Sequence, residues 1–140
     1  MDPRIKEVAK SVRAWADTLP DKYDYPKNLG GLCGIASRKL FREFSKRRIQ
    51  ARIACRPGHA FVVLPDYGVL VDVTATQFGG KEIEIRKLSE IKDISHWDLT
   101  TCTLYKSAQA FLNFQRSNPK WCICEVRIGK CPKREYNGCY

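Results

Sequence analysis

Apolar residues recur at helical spacing in the first third of the chain. Asp2 and Pro3 suit the cap and the first turn of a helix. The stripe that follows them comprises Ile5, Val8, Ala9, Val12, Trp15 and Ala16. After the irregular segment TLPDKYDYPKN, a second stripe comprises Leu32, Ile35, Ala36, Leu40, Phe41 and Phe44. Because charged residues occupy the opposite face of the second stripe, the pattern predicts two amphipathic helices, the second over about residues 32–47.

The pattern changes to β-branched runs after residue 50. The runs ARIAC, HAFVVL and GVLVDVTA are separated by RPG and PDYG, which are turn sequences, so they predict three strands with the last two as a hairpin. KEIEIRKL alternates like a fourth strand, with Ile83, Ile85 and Leu88 facing inward. SAQAFLNFQR predicts a short helix and WCICEVRI a late strand, followed by a basic, turn-rich tail. The order predicts one α+β domain over residues 1–140, with helices packed on an antiparallel sheet.

The charge balance bears on partners and on location. The net charge is +10 over 140 residues, which favours acidic partners, including an acidic protein or peptide, by long-range attraction. No zinc-finger spacing and no basic region continued by heptads is present, so no motif supports nucleic-acid binding. No apolar run reaches the length of a membrane helix, and the N-terminus has no secretory h-region. We therefore expect a cytoplasmic protein without a membrane partner, with specialised export into a host cell left open; the oligomeric state is not indicated.

Seven cysteines are many for a chain of this length. They would be thiols in a reducing compartment, or three disulfides and one thiol after export. Four of them form a C-x-C-x6-C-x7-C series, which Cys55 and Cys102 could join; the four are Cys122, Cys124, Cys131 and Cys139. Structural zinc sites usually use C-x(2–4)-C pairs, which are missing here, so core cysteines are the favoured interpretation and we expect no metal or other cofactor. A zinc deaminase is excluded, because His59 is followed by Ala-Phe and no P-C-x-x-C occurs.

Cys33, His59 and Asp72 form the strongest candidate for catalytic chemistry. Cys33 stands at a helix start, where the helix dipole favours a thiolate, and glycines at positions 30, 31 and 34 would let a substrate backbone approach the sulfur. His59 opens a strand, and Asp72 lies thirteen residues later on the next strand. A carboxylate within an apolar run is costly unless it is paired. If the hairpin register allows it, Asp72 can accept from one imidazole nitrogen while the other faces Cys33.

These residues resemble a known superfamily. A helix-borne Cys, a strand-borne His and a next-strand Asp, in that order, resemble the transglutaminase-like core of the papain-like cysteine enzymes. CGIASRKLFREFSKRRI, GHAFVVL and VLVDVTATQFG are similar to segments of its small bacterial and phage members, over roughly residues 28–80. The resemblance implies a papain-like/transglutaminase-like fold and acyl transfer through a thioester. It implies that Cys33 is the nucleophile, His59 the general base and then acid, and Asp72 the residue that orients His59.

Further site residues follow less directly from the resemblance. Relatives often place an oxyanion donor a few residues before the Cys, where this chain has Asn28; the Cys33 backbone amide is an equal candidate. Gly34 stands where papain and many transglutaminases have an aromatic residue, which counts against an ordinary protease or a calcium-dependent transglutaminase. Gln77, shortly after Asp72, is expected to line the site or to pack against it.

The sequence does not decide which acyl-transfer reaction the chain would catalyse. The members of the superfamily include proteases, amidases, protein-glutamine deamidases and amine-transferring transglutaminases. For a chain of this size, hydrolysis of a protein or peptide amide is the favoured interpretation over amine transfer. The competing class is a binding module or effector without catalysis, which would use the basic face of the second helix.

Overall fold

The computed structural model of the protein describes residues 1–19 and 32–118, and it has an α+β fold. The helices are α1 (Pro3–Asp17), α2 (Cys33–Lys46) and α3 (Ala108–Ser117). The strands are β1 (Arg52–Arg56), β2 (His59–Leu64), β3 (Val69–Asp72), β4 (Glu84–Lys87) and β5 (Thr103–Tyr105). The predicted helices, the first four strands and the α+β class are confirmed. The predicted strand WCICEVRI, the tail with its cysteines, and Asn28 lie outside the described residues.

All the strand pairs are antiparallel, in the order β4-β3-β2-β1-β5. Consecutive strands from β1 to β4 are neighbours, as expected of a meander. The predicted hairpin of β2 and β3 is confirmed, with Val62 opposite Val71. β1 and β2 also form a hairpin, and Gly58 at its turn has φ 84°, a conformation that glycine adopts without steric cost. β5, which no sequence pattern predicted, is a three-residue edge strand beside β1.

One face of the sheet is covered by the helices. Ile5, Val8 and Val12 of α1 pack with Leu40 and Phe44 of α2 in a single apolar cluster. The sheet contributes alternate residues to this cluster, namely Ile53, Cys55, Ala60, Val62, Leu64, Val69 and Val71. Each predicted helical stripe therefore supplies the buried side of its helix, and α2 packs mainly on β2.

The opposite face of the sheet is covered without any α-helix among the described residues. Phe61, Val63 and Leu70 point to this side and pack against Trp97 and Ile91. The covering chain runs through short 3-10 turns over Leu88–Glu90, Ser95–Trp97 and Leu99–Thr101. Leu88, expected to face the same core as Ile83 and Ile85, packs against this second cluster instead, because β4 ends at Lys87 and the chain turns.

The described helices can be compared with the requirements of a membrane-spanning helix. None of α1, α2 and α3 combines the length and the apolar character that crossing a bilayer would require.

Candidate active site

Cys33 is the first residue of α2 and is almost fully buried, at 2% exposure. The preceding residue, Leu32, caps the helix without a side-chain hydrogen bond, so the residue at the cap position does not accept from the first amides of α2. Gly34 follows Cys33 and is buried as well. Cys33 belongs to the apolar cluster on the helix-covered face of the sheet. The thiol therefore lies at the positive end of a 14-residue helix, in a largely dry environment.

The hairpin register brings His59 and Asp72 onto one face of the sheet. Val62 pairs with Val71, so Asp72 falls opposite Phe61, and His59 lies two residues before Phe61 on the same side of β2. Diagonal neighbours of this kind are within reach of long side chains. His59 Nε2 lies 2.7 Å from Asp72 Oδ2, with both side chains essentially unexposed. The expected hydrogen bond between this carboxylate and the imidazole is confirmed.

The Asp72 carboxylate is fully used as an acceptor. Its Oδ2 accepts from His59 and from the indole Nε1–H of Trp97, at 2.8 Å. Its Oδ1 accepts from the Thr74 backbone N–H at 2.8 Å and from the Thr74 hydroxyl at 3.1 Å. Four donors therefore offset the cost of burying a carboxylate. They also fix the carboxylate plane, so Oδ2 keeps one direction toward His59.

Cys33 hydrogen bonds to the same imidazole. Because Nε2 is taken by Asp72, Nδ1 is the nitrogen that remains for the sulfur. In the neutral ring, Nε2–H donates to Asp72 and Nδ1 can accept the thiol proton. The three side chains are therefore connected in series through the two nitrogens of one ring, in the order thiol, imidazole, carboxylate.

The charges of the pair stabilise each other. Burial lowers the pKa of His59, but the Asp72 charge and hydrogen bond, together with Cys33, outweigh it and raise the pKa from 6.5 to about 9. For Asp72, burial acts to raise the pKa, yet His59, Trp97 and Thr74 together hold it below its usual value. The imidazole is therefore a strong acceptor for the Cys33 proton, and Asp72 stabilises the imidazolium once it forms.

Gln77 approaches the imidazole at Nδ1, the nitrogen that also faces Cys33. It belongs to the 3-10 turn Ala75–Phe78, and its Nε2 is 3.1 Å from His59 Nδ1 and 3.4 Å from Thr74 Oγ1. Its Oε1 is buried and has no hydrogen-bond partner among the described residues. Gln77 therefore lies beside the imidazole, which agrees with the expectation that it lines the site or packs against it.

Two aromatic rings lie beside the imidazole. Phe78 is 40% exposed and meets His59 edge-on, with centroids 4.8 Å apart. His96 stacks on Phe78 at 4.6 Å and contacts Trp97. Burial and the positive charge that His59 carries when protonated lower the pKa of His96, so His96 stays neutral when His59 takes up a proton. The two rings cover His59 from the solvent side without adding a second positive charge.

Arg13 holds the segment that carries Gln77. Its buried guanidinium donates to the carbonyl of Val73 at 2.9 Å, the hydroxyl of Thr76 at 3.2 Å and the carbonyl of Glu82 at 3.3 Å, and it pairs with Asp17. Sequence reasoning missed Arg13, Trp97 and His96. For Arg13 a signal was present, since position 13 continues the buried stripe next to Val12. For Trp97 and His96, which lie in a 3-10 turn, no periodic signal existed.

The remaining cysteines of the described region are poor nucleophiles. Burial raises the pKa of Cys55 far above its ordinary value, and burial also raises the pKa of Cys102 to about 11. Within residues 1–19 and 32–118, no group of three or more His, Cys, Asp or Glu side chains is arranged to hold a metal ion. The C-x-C-x6-C-x7-C series lies outside these residues, so the interpretation of those four cysteines as core residues rather than metal ligands stays a prediction.

Comparison with known proteins gives no relative for this chain: no family model, no curated protein and no solved structure matches it. Any functional conclusion therefore depends on the residues and their geometry.

Proposed function

We propose that the protein is a papain-like/transglutaminase-like cysteine enzyme that hydrolyses a protein or peptide amide through a thioester on Cys33. The observation that carries the proposal is the series of Cys33, His59 and Asp72, in which both nitrogens of one imidazole are engaged. A thiol, a base in contact with it and a carboxylate that orients the base are what nucleophilic acyl transfer requires.

Each residue has one role in the proposed reaction. Cys33 transfers its proton to His59 Nδ1, and Sγ attacks the substrate carbonyl. The tetrahedral intermediate collapses as Nδ1–H gives its proton to the departing amine, which leaves a thioester. Water, deprotonated by Nδ1, then attacks the thioester; the C–S bond breaks to release the acid, and Nδ1–H returns its proton to Sγ. Asp72 keeps Nε2–H in place throughout and stabilises the imidazolium.

The energetics of the site favour this role over a purely structural one. A buried ion pair contributes little net stability compared with apolar residues of similar volume. Here the pair is joined to a thiol at a helix N-terminus, and an exposed aromatic ring lies beside it. Perturbed titratable groups that meet a nucleophile are typical of active sites.

The test is selective modification of Cys33 by iodoacetamide at pH 7, measured by peptide mass mapping. We expect stoichiometric alkylation of Cys33, while Cys55 and Cys102 react at least tenfold more slowly because their thiolates are disfavoured. His59→Ala should abolish the selectivity. Equal, slow labelling of several cysteines in the wild-type protein would contradict the proposal.

A second measurement addresses turnover. With p-nitrophenyl acetate, Cys33 should acquire an acetyl group that is visible by mass, and the release of p-nitrophenol should continue beyond one equivalent as water clears the thioester. Cys33→Ser serves as the size-matched control. If Cys33→Ser and wild type release p-nitrophenol at equal rates, Cys33 is not the nucleophile.

A further inference from the structure

The Gln77 amide has an orientation that a packing role does not explain. Its Nε2 faces His59, while its Oε1 is buried without a partner among the described residues. A buried polar atom without a partner keeps the full cost of its desolvation. Such atoms are few in native proteins and are often found where a ligand or a reaction uses them.

The amide must present its nitrogen to His59 when the imidazole is neutral. Asp72 accepts from Nε2–H, so Nδ1 carries a lone pair and can only accept. An amide oxygen at the position of Gln77 Nε2 would repel that lone pair. The tautomer set by Asp72 therefore sets the orientation of the Gln77 side chain.

Proton transfer from Cys33 to His59 removes the acceptor that the Gln77 amide faces. Once Nδ1 holds the thiol proton, it no longer accepts, and the N–H that Gln77 directs at it loses its partner, while the second N–H of the amide keeps Thr74 Oγ1. At the same moment the attacked carbonyl oxygen gains negative charge, close to Sγ and therefore close to the nitrogen that Sγ and Gln77 share. A donor that loses its acceptor as an oxyanion forms stabilises the transition state more than the ground state.

We propose that the Gln77 side-chain amide is the oxyanion donor of this site, supplied from the segment after Asp72 rather than from the segment before Cys33. In the addition step, the Sγ–C bond forms, the carbonyl π pair moves to oxygen, and Nε2–H of Gln77 donates to that oxygen. In the collapse step, the pair returns to carbon, the bond to the leaving group breaks, and Gln77 donates to Nδ1 again. This inference rests on the proposed acyl transfer at Cys33.

Hydrogen bonds of Gln77 and of its neighbours hold the amide in position. Its backbone N–H donates to the Thr74 carbonyl at 3.2 Å, and Thr74 is itself bonded to Asp72. Arg13 fixes Val73 and Thr76 on the same segment. The turn ends at Gly79 with φ 80°, which lets the chain leave toward β4 without strain. The amide is therefore preorganised, as a donor to a developing charge should be.

The test compares two reactions of the same sulfur. Acylation by p-nitrophenyl acetate passes through an oxyanion, whereas alkylation by iodoacetamide is a direct displacement that forms none. We expect Gln77→Met, which keeps the length and removes the donor, to slow acylation of Cys33 about 10²- to 10³-fold. Alkylation should be unchanged or faster, because the loss of a donor to neutral Nδ1 favours the imidazolium–thiolate pair. Gln50→Met makes the same change at an exposed position and should alter neither rate.

The outcomes separate this inference from the function on which it rests. Equal losses in both reactions would make Gln77 a positioning residue for His59 and overturn the inference, as would an unchanged acylation rate. If wild type shows no His59-dependent acylation at all, the proposed function fails and the inference falls with it. Should Gln77→Met lose its native circular dichroism, Gln77→Glu provides the second variant: a carboxylate beside the oxyanion should slow acylation at least as much, with retained alkylation.

Discussion

The two faces of the sheet are covered in different ways. On one face, α1, α2 and α3 bring aliphatic and aromatic stripes onto the strands. The same helices also carry buried polar side chains, namely Arg13, Ser37, Arg38 and Gln115. On the other face, 3-10 turns bring Trp97 and Ile91 over the strands, next to the buried pair of His59 and Asp72. Regular helices form their backbone hydrogen bonds internally and present one apolar side to the sheet. The 3-10 turns instead bring individual polar side chains to the sheet.

Because of this difference, we expect the helix-covered face to supply most of the stability and the opposite face to carry the chemistry. Leu40 and Phe44 on the helical side have apolar side chains that take no part in the polar network, and their truncation opens a cavity. Asp72, on the other side, has four donors but little apolar surface. Cys33 joins the two, because it is carried by a helix of the first face and bonded to the imidazole of the second.

The largest expected effect is that of Asp72→Asn. The side chain keeps its size, but its amide nitrogen can oppose His59 Nε2–H and favour the wrong tautomer, so acylation of Cys33 by p-nitrophenyl acetate should fall about 10³- to 10⁴-fold. The rate is measured by stopped-flow release of p-nitrophenol. Asp98→Asn changes a carboxylate in an exposed turn and is the matched control. A loss below about tenfold would mean that the carboxylate does not orient the base.

The converse variant is Leu40→Ala on the helical face. Leu40 is 1% exposed, so its truncation should lower the free energy of unfolding by about 2–5 kcal/mol in urea denaturation. The acylation rate of the folded protein should stay within about threefold of wild type, since this is a barrier change below 1 kcal/mol. A large loss of acylation with retained native circular dichroism would show that the helix-covered face contributes to the reaction as well as to stability.

The smallest of the three effects concerns pH. The pKa of His59 is raised from 6.5 to about 9, so its contribution is complete below the unfolded value and is lost as pH rises through about 9. The free energy of unfolding should therefore fall by about 3 kcal/mol between pH 6 and pH 10 because of this group. Asp72, with a lowered pKa, adds stability that is lost only as pH falls below its usual titration range.

The check is a series of urea denaturations across this pH range. Leu40→Ala should lower the whole curve without changing its slope. His59→Gln should remove much of the alkaline slope. An equal slope in His59→Gln and wild type would assign the pH dependence to other groups.

The sequence predicts the first face better than the second. Stripes such as Ile5, Val8 and Val12 carry the period of a helix, and the runs of β1 to β3 carry their own turn residues, so helices, strands and the meeting of His59 with Asp72 follow from local patterns. Trp97 could not be assigned to Asp72 in this way. It lies in a 3-10 turn, 25 residues along the chain from its acceptor, and only tertiary packing brings it there. The exposed strand β5 is too short to show alternation.

Arg13 has a consequence for the order of folding. It lies on the first helix, yet its guanidinium bonds to chain 60 to 69 residues further on. Closing so long a loop is slow compared with forming a helix or a hairpin. We therefore expect the turn that carries Gln77 to reach its final geometry only once α1 is packed against α2. The first helix of the chain would then complete one of the last parts of the site to form, and Cys33 would become reactive after the core has collapsed.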